Sequence, residues 1–149
     1  MDMKKLAFVL GLLFVSFSFA ACSDDDDDKA ISPDELPVNV KTFLEMHFPG
    51  QTIRLAEMDN DSYDVYLANG FEIEFDLSGE WDDVDGRNQA VPEGILRLLP
   101  QQLLDYVTSN YVDRKIYEVN KESFGYEIEL DNRIELEFDS TGKFIRIDR

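Results

Sequence analysis

The sequence predicts an α+β fold: two tandem units, each a helix followed by a four-stranded antiparallel meander, with the helices on one sheet face. Three observations carry this. Shifted by 63 positions, the chain matches itself without a gap at 12 of the 50 positions from Leu36 to Asp85, among them Leu36-Pro37 on Leu99-Pro100, Phe75-Asp76 on Phe138-Asp139 and Gly79 on Gly142. A gap-free period of that length marks two copies of one supersecondary unit. Within each copy the apolar spacing changes from 3.6 to 2 residues, helix to strand. The strands alternate apolar with charged residues, as in a sheet packed on one face and wet on the other.

Ahead of the fold, Lys4 and Lys5 precede an apolar run from Leu6 to Ala21. This is the pattern of a secretory signal, too short for the ~20 residues that span a bilayer. Phe19-Ala20-Ala21-Cys22 resembles a bacterial lipobox, which implies a signal peptide over residues 1–21 and a lipidated Cys22. Cys22 is the only cysteine, so no disulfide competes for it. The five aspartates Asp24 to Asp28 repel one another, and residues 22–33 read as a solvated acidic tether. Such a run after a lipidated Cys resembles the surface-export signal of some Gram-negative lipoproteins. The expected location is the outer membrane, with display at the cell surface.

The first unit is expected over residues 34–86. Leu36, Val40, Phe43, Leu44 and Phe48 form a helical stripe between Pro37 and Pro49-Gly50, with Ser32 or Asp34 as cap. Thr52 to Met58 is a strand candidate. Tyr63, Val65 and Leu67 then alternate with polar positions up to Asn69-Gly70, a tight hairpin signal. Phe71, Ile73 and Phe75 alternate with Glu72, Glu74 and Asp76, and Trp81 to Val84 makes the last strand.

The second unit, residues 87–149, begins with a short extra helix around Ile95 and Leu96, broken by Pro100 from the main stripe of Leu99, Leu103, Leu104, Tyr106, Val107 and Tyr111. Its strands are Lys115 to Lys121, Tyr126 to Leu130, Ile134 to Phe138 and Phe144 to Ile147. The hairpin turn here is Asn132-Arg133, without the glycine, so Arg133 takes an unfavourable turn position or the loop is longer.

The runs YDVYLANGFEIEFDLSGEW (63–81) and YEIELDNRIELEFDSTGKF (126–144), each preceded by a helix ending near an aromatic, resemble the PepSY-like family. The shared pattern is Tyr-x-Val/Ile-x-Leu-x-Asn-x-x-Glu-x-x-Phe-Asp-x-x-Gly. That family is described as similar to the β-lactamase inhibitor protein, a tandem of two helix-plus-four-strand units. Related PepSY domains are thought to inhibit or chaperone peptidases. The resemblance therefore implies a binding or inhibitory role and carries over no catalytic residue.

Without residues 1–21 the chain holds 12 basic and 31 acidic residues, a net charge of −19, and −14 without the aspartate run. Nucleic acid and anionic lipid need clustered Lys and Arg, so the membrane is reached only through the lipid anchor. A basic protein or peptide is the expected partner. Its expected landing surface is the sheet face of Asp64, Tyr66, Glu72, Glu74 and Asp76 with Glu127, Glu129, Glu135, Glu137 and Asp131. A solvated face kept soluble by charge explains the same residues. Like charges directly opposite on neighbouring strands are unfavourable by up to ~1 kcal/mol per pair, which favours a face used to steer a cationic partner.

A calcium-binding alternative uses Asp59 and Asp61, with Asn60 and Asp64, in one loop and Asp83 and Asp85, with Asp82, in another. Neither spacing matches an EF-hand, and Asp/Asn-rich loops are ordinary turns. No cofactor and no catalysis are expected. His47 is the only histidine, placed where a helix C-terminus suits a cation or a capping bond. Carboxylates on a flat open sheet are expected to lack the burial that raises a pKa. Trp81 and Phe144 read as packing rather than as ligand platforms.

Overall fold

The computed structural model describes residues 28–148; the signal peptide, Cys22 and residues 22–27 of the tether lie outside them. The strands are β1 (Lys29–Ile31), β2 (Ile53–Met58), β3 (Ser62–Leu67), β4 (Glu72–Asp76), β5 (Trp81–Asp85), β6 (Ile116–Glu122), β7 (Gly125–Leu130), β8 (Glu135–Asp139) and β9 (Phe144–Asp148). Three helices join them: α1 (Val38–His47), α2 (Glu93–Leu96) and α3 (Gln101–Asn110).

The pair of helix-plus-four-strand repeats is overturned as an architecture. All nine strands form one antiparallel sheet in sequence order. The reason is the seam: Asp83, Val84 and Asp85 of β5 pair with Asn120, Val119 and Glu118 of β6, so the ladder runs on where a boundary was expected. The tether also ends earlier than residue 33. Lys29, Ala30 and Ile31 pair with Met58, Glu57 and Ala56, and Pro33–Glu35 form a 3-10 turn with Ser32 as its cap in a capping box with Glu35.

One apolar layer lies between the sheet and the helices. Ile73, Val84, Val119, Ile128 and Leu136 stand opposite one another from β4 to β8, all essentially inaccessible to solvent. Phe43 of α1 packs edge-on to Phe75 at 5.4 Å and stacks on Trp81 at 6.3 Å. Tyr106 of α3 meets Phe138 edge-on at 5.5 Å and lies flat on Phe144 at 4.4 Å. Such aromatic pairs contribute ~0.5–1.5 kcal/mol beyond the area they bury. Trp81 is buried, with the Lys121 ammonium 3.9 Å from its ring centre.

Local chemistry sets the turns. Asn69-Gly70 closes the β3–β4 hairpin with Gly70 at φ 97°, a conformation open to glycine at no steric cost. The β7–β8 hairpin has the same tight form, with Arg133 forced to φ 64°. No helix of the described residues is long and apolar enough to cross a membrane.

Candidate functional site

The face of the sheet away from the helices carries two continuous cross-strand rows. From β3 to β9, Tyr66, Glu72, Asp85, Glu118, Glu129, Glu135 and Asp148 stand successively opposite one another. From β2 to β9 the second row is Glu57, Asp64, Glu74, Asp83, Asn120, Glu127, Glu137 and Arg146. Twelve of these fifteen positions are carboxylates. Each direct like-charge pair costs ~0.2–1 kcal/mol, a sum that strand packing alone does not require.

Arginines relieve only part of the face. Arg87 pairs with Glu72 and, at 3.1 Å, with Asp85; Arg133 reaches Glu129 at 2.5 Å. Arg146 clamps Glu137 with two hydrogen bonds of 2.8 Å. Among the described residues no Lys or Arg forms an ion pair with Asp64, Glu74, Asp83, Glu118 or Glu127. A depression of about 200 Å³ lies there, lined by Asp64, Tyr66, Glu72, Glu74 and Asp83.

The crowding changes the acid chemistry. Burial, then the charges of Glu118, Asp85 and Glu74, pushes Asp83 up to about 8. Burial, then Asp85 and Glu129, raises Glu118 to about 7. Asp64 rises to about 6 through burial and then Asp59. Glu74 and Glu127 are also raised, burial first. The expectation that an open sheet leaves carboxylates unshifted therefore fails. Strand twist and neighbouring side chains half-bury the central positions, and like charges add to that desolvation.

The register brings Asp64, Tyr66, Glu72, Glu74, Glu127, Glu129, Glu135 and Glu137 onto this face. Asp76 is instead committed to the next turn, where it accepts hydrogen bonds from Ser78 Oγ at 2.6 Å and from the Glu80 amide at 3.0 Å. Asp131 lies 3.5 Å from Arg114. Five face carboxylates were not foreseen: Glu57, Asp83, Asp85, Glu118 and Asp148. Bulges in β5 and β6 hid the central three, because each bulge breaks the strict alternation that sequence reading relies on. The match of Asp85 with Asp148 was the available signal.

Of the two loops of the calcium alternative, the first is a turn and the second is a strand. Asp59 caps the β2–β3 turn, accepting from the amides of Asp61 at 2.8 Å and Ser62 at 2.9 Å, while Asp83 and Asp85 lie mid-sheet on β5. Two carboxylate trios converge. Asp28, Asp59 and Asp64 each offer a carboxylate oxygen within 4.8 Å of the other two, and so do Glu127, Glu137 and Asp148. His47 closes α1 as expected, its ring tilted by 50° against Phe43 at 4.5 Å, and burial lowers its pKa.

A family model described as "putative beta-lactamase-inhibitor-like, PepSY-like" matches residues 61–146. The chain belongs to the PepSY-like family. Among solved structures, this PepSY-like chain is similar to a protein of Bacteroides thetaiotaomicron described as a "putative calcium-regulated periplasmic protein", with 38% identity, TM-score 0.76, and coverage of 83% of this chain and 98% of that one. Two Bacteroides vulgatus structures, both described as putative periplasmic proteins, share 36% and 31% identity at TM-score 0.76, covering 84% and 82% of this chain and 99% of each of theirs. Among curated proteins none matches. A place in the cell envelope is consistent with these periplasmic relatives.

Proposed function

We propose that this PepSY-like chain is a lipid-anchored envelope protein whose acidic sheet face is a non-catalytic docking surface for a basic protein or peptide, acting as an inhibitor or modulator of its partner. The observation that carries this reading is the pair of cross-strand carboxylate rows, in which, among the described residues, Asp64, Glu74, Asp83, Glu118 and Glu127 form no ion pair with a Lys or Arg. A field of that sign and extent steers a basic partner and strengthens where the carboxylates are half-buried. Asp83, Glu118 and Asp64 are raised to about 8, 7 and 6 by burial first and by neighbouring like charges second, and a cationic partner would favour their ionised forms. Anchoring through Cys22, with residues 22–27 as spacer, belongs to the same proposal, as does presentation on the outer membrane. The test is capture from envelope extract by the full chain and by a variant carrying Glu72→Lys, Glu74→Lys, Glu129→Lys and Glu135→Lys. Retention by the native chain alone, lost steeply with added salt, supports the reading; equal retention, or retention indifferent to salt, overturns it.

A second reading is calcium binding on the same face. It is favoured by the two carboxylate trios, and by the relative described as calcium-regulated. Hard cations take six to eight oxygens, and carboxylates with water can supply them.

A further inference from the structure

The two ends of the sheet are unlike. β1 is three residues long and is the kind of short edge that resists further pairing. β9 is five residues long, and β8 is its only partner strand among the described residues. It carries Ile145 and Ile147, 47% and 43% exposed, with Ile147 opposite the buried Leu136. A long edge with exposed apolar side chains is a template for another strand, and most proteins blunt it. β9 carries a bulge opposite Glu137 and Phe138 and the charges of Arg146 and Asp148 as such devices, and neither covers Ile145 or Ile147.

The two sides of this edge differ in chemistry. Toward the helices the free surface is Ile147, next to Phe144 and its stack on Tyr106. Toward the acidic face lie Asp148, opposite Glu135, and the trio of Glu127, Glu137 and Asp148, in which Arg146 answers Glu137. A strand added alongside β9 presents its side chains alternately to these two surfaces. We propose that β9 is the docking edge for an extended segment in which basic and apolar residues alternate, adding as a tenth strand. This rests on the proposed basic partner and gives its binding mode: main-chain hydrogen bonds to β9 supply affinity, an aliphatic side chain covers Ile147, and a Lys or Arg reaches Asp148 and Glu135. A second copy of this chain is the competing occupant, since antiparallel self-pairing about Ile147 sets Arg146 opposite the second copy's Asp148. Two domains that each carry a net −14 repel one another, which favours the basic segment.

The experiment is amide hydrogen exchange on the full chain with a short capped peptide alternating Lys and Val, with its Glu–Val counterpart, and with the Ile147→Lys variant. The expected result is new protection at residues 144–148 with the Lys–Val peptide, and about tenfold weaker binding for the Glu–Val peptide and for the variant, equal to about 1.4 kcal/mol. Ile147 is surface-exposed, so an unchanged melting temperature certifies that the variant folds. Protection or shifts confined to Asp64, Glu74 and Asp83 overturn the edge while leaving the acidic face as the docking surface. Absence of binding by either peptide overturns both. Protection of residues 144–148 without peptide, with a doubled mass in sedimentation, assigns the edge to a second copy and overturns the proposed occupant.

Discussion

Asp83 stands directly opposite Glu74 across the β4–β5 ladder, and its Oδ1 is buried without a hydrogen-bond partner. The folded protein therefore holds a proton on Asp83 up to about pH 8, whereas the unfolded chain releases it near the usual carboxylate value. Between those limits the folded state binds more protons than the unfolded one, so stability falls as pH rises, and the loss is complete above about 8. Glu118, raised to about 7, adds to the same slope. Urea unfolding is expected to give clearly lower stability at about pH 8 than at about pH 5. Asp83→Asn should flatten that slope and raise stability at the alkaline end. A profile equally steep in the variant would remove Asp83 as its source.

Calcium should stabilise the fold most where protons stabilise it least. The trios Asp28–Asp59–Asp64 and Glu127–Glu137–Asp148 ligate only when ionised, and ions that bind the folded state alone stabilise it. Millimolar calcium is expected to raise the melting temperature by a few degrees, more at alkaline than at acid pH. Asp148→Asn should reduce the rise if the second trio holds the ion. A melting temperature unmoved by calcium and by chelator would eliminate the calcium reading.

The apolar layer gives a sharper magnitude. Phe138 is fully buried and meets both Tyr106 and Phe144. Phe138→Ala removes a large side chain and leaves a cavity lined by residues fixed in strands, a loss of about 3–5 kcal/mol in denaturant unfolding. Val112→Ala, at a residue 68% exposed, should shift stability by less than about 0.5 kcal/mol.

Much of this layer was legible because alternation and helical stripes report burial directly. Ile73, Phe75, Ile128, Leu136 and Phe138 all face the helices, as their period of two requires. The Asn132-Arg133 turn was legible as well: the hairpin keeps its tight form at the cost of φ 64° at Arg133, whose guanidinium bonds Glu129 and Asn88. What stayed hidden was pairing. Nothing local in Asp83–Asp85 or Glu118 says that β5 and β6 are neighbours, because β5–β6 pairing is a contact between segments some thirty residues apart. That one seam decides both the single sheet and the continuity of the acidic rows. β1 was hidden by composition, as Lys29-Ala30-Ile31 directly follows five consecutive aspartates, a sequence that reads as tether.

Gly125 opens β7 at φ 149°, and a Cβ there would lie 2.2 Å from the Phe138 carbonyl oxygen. Both the backbone conformation and the contact reject a side chain, and the neighbour is main chain, which cannot rotate away. Gly125→Ala is expected to cost more than about 2 kcal/mol in denaturant unfolding. Gly50, at φ 74° with open space around it, should lose less on the same change. Equal losses at the two positions would show that backbone strain, and not the contact with β8, sets the penalty.

Arg146 and Glu137 make the most committed pair on the acidic face: the carboxylate is 8% exposed, the guanidinium 64%. Arg146→Ala strips a buried carboxylate of its bidentate partner while Glu127 and Asp148 remain close by, so the carboxylate is left desolvated among like charges. The melting temperature should fall clearly. Glu137→Gln placed on top of Arg146→Ala should recover part of the loss, because an uncharged side chain tolerates the same site. If the double variant is as unstable as the single one, the arginine's contribution is its packing over β8 and not its charge.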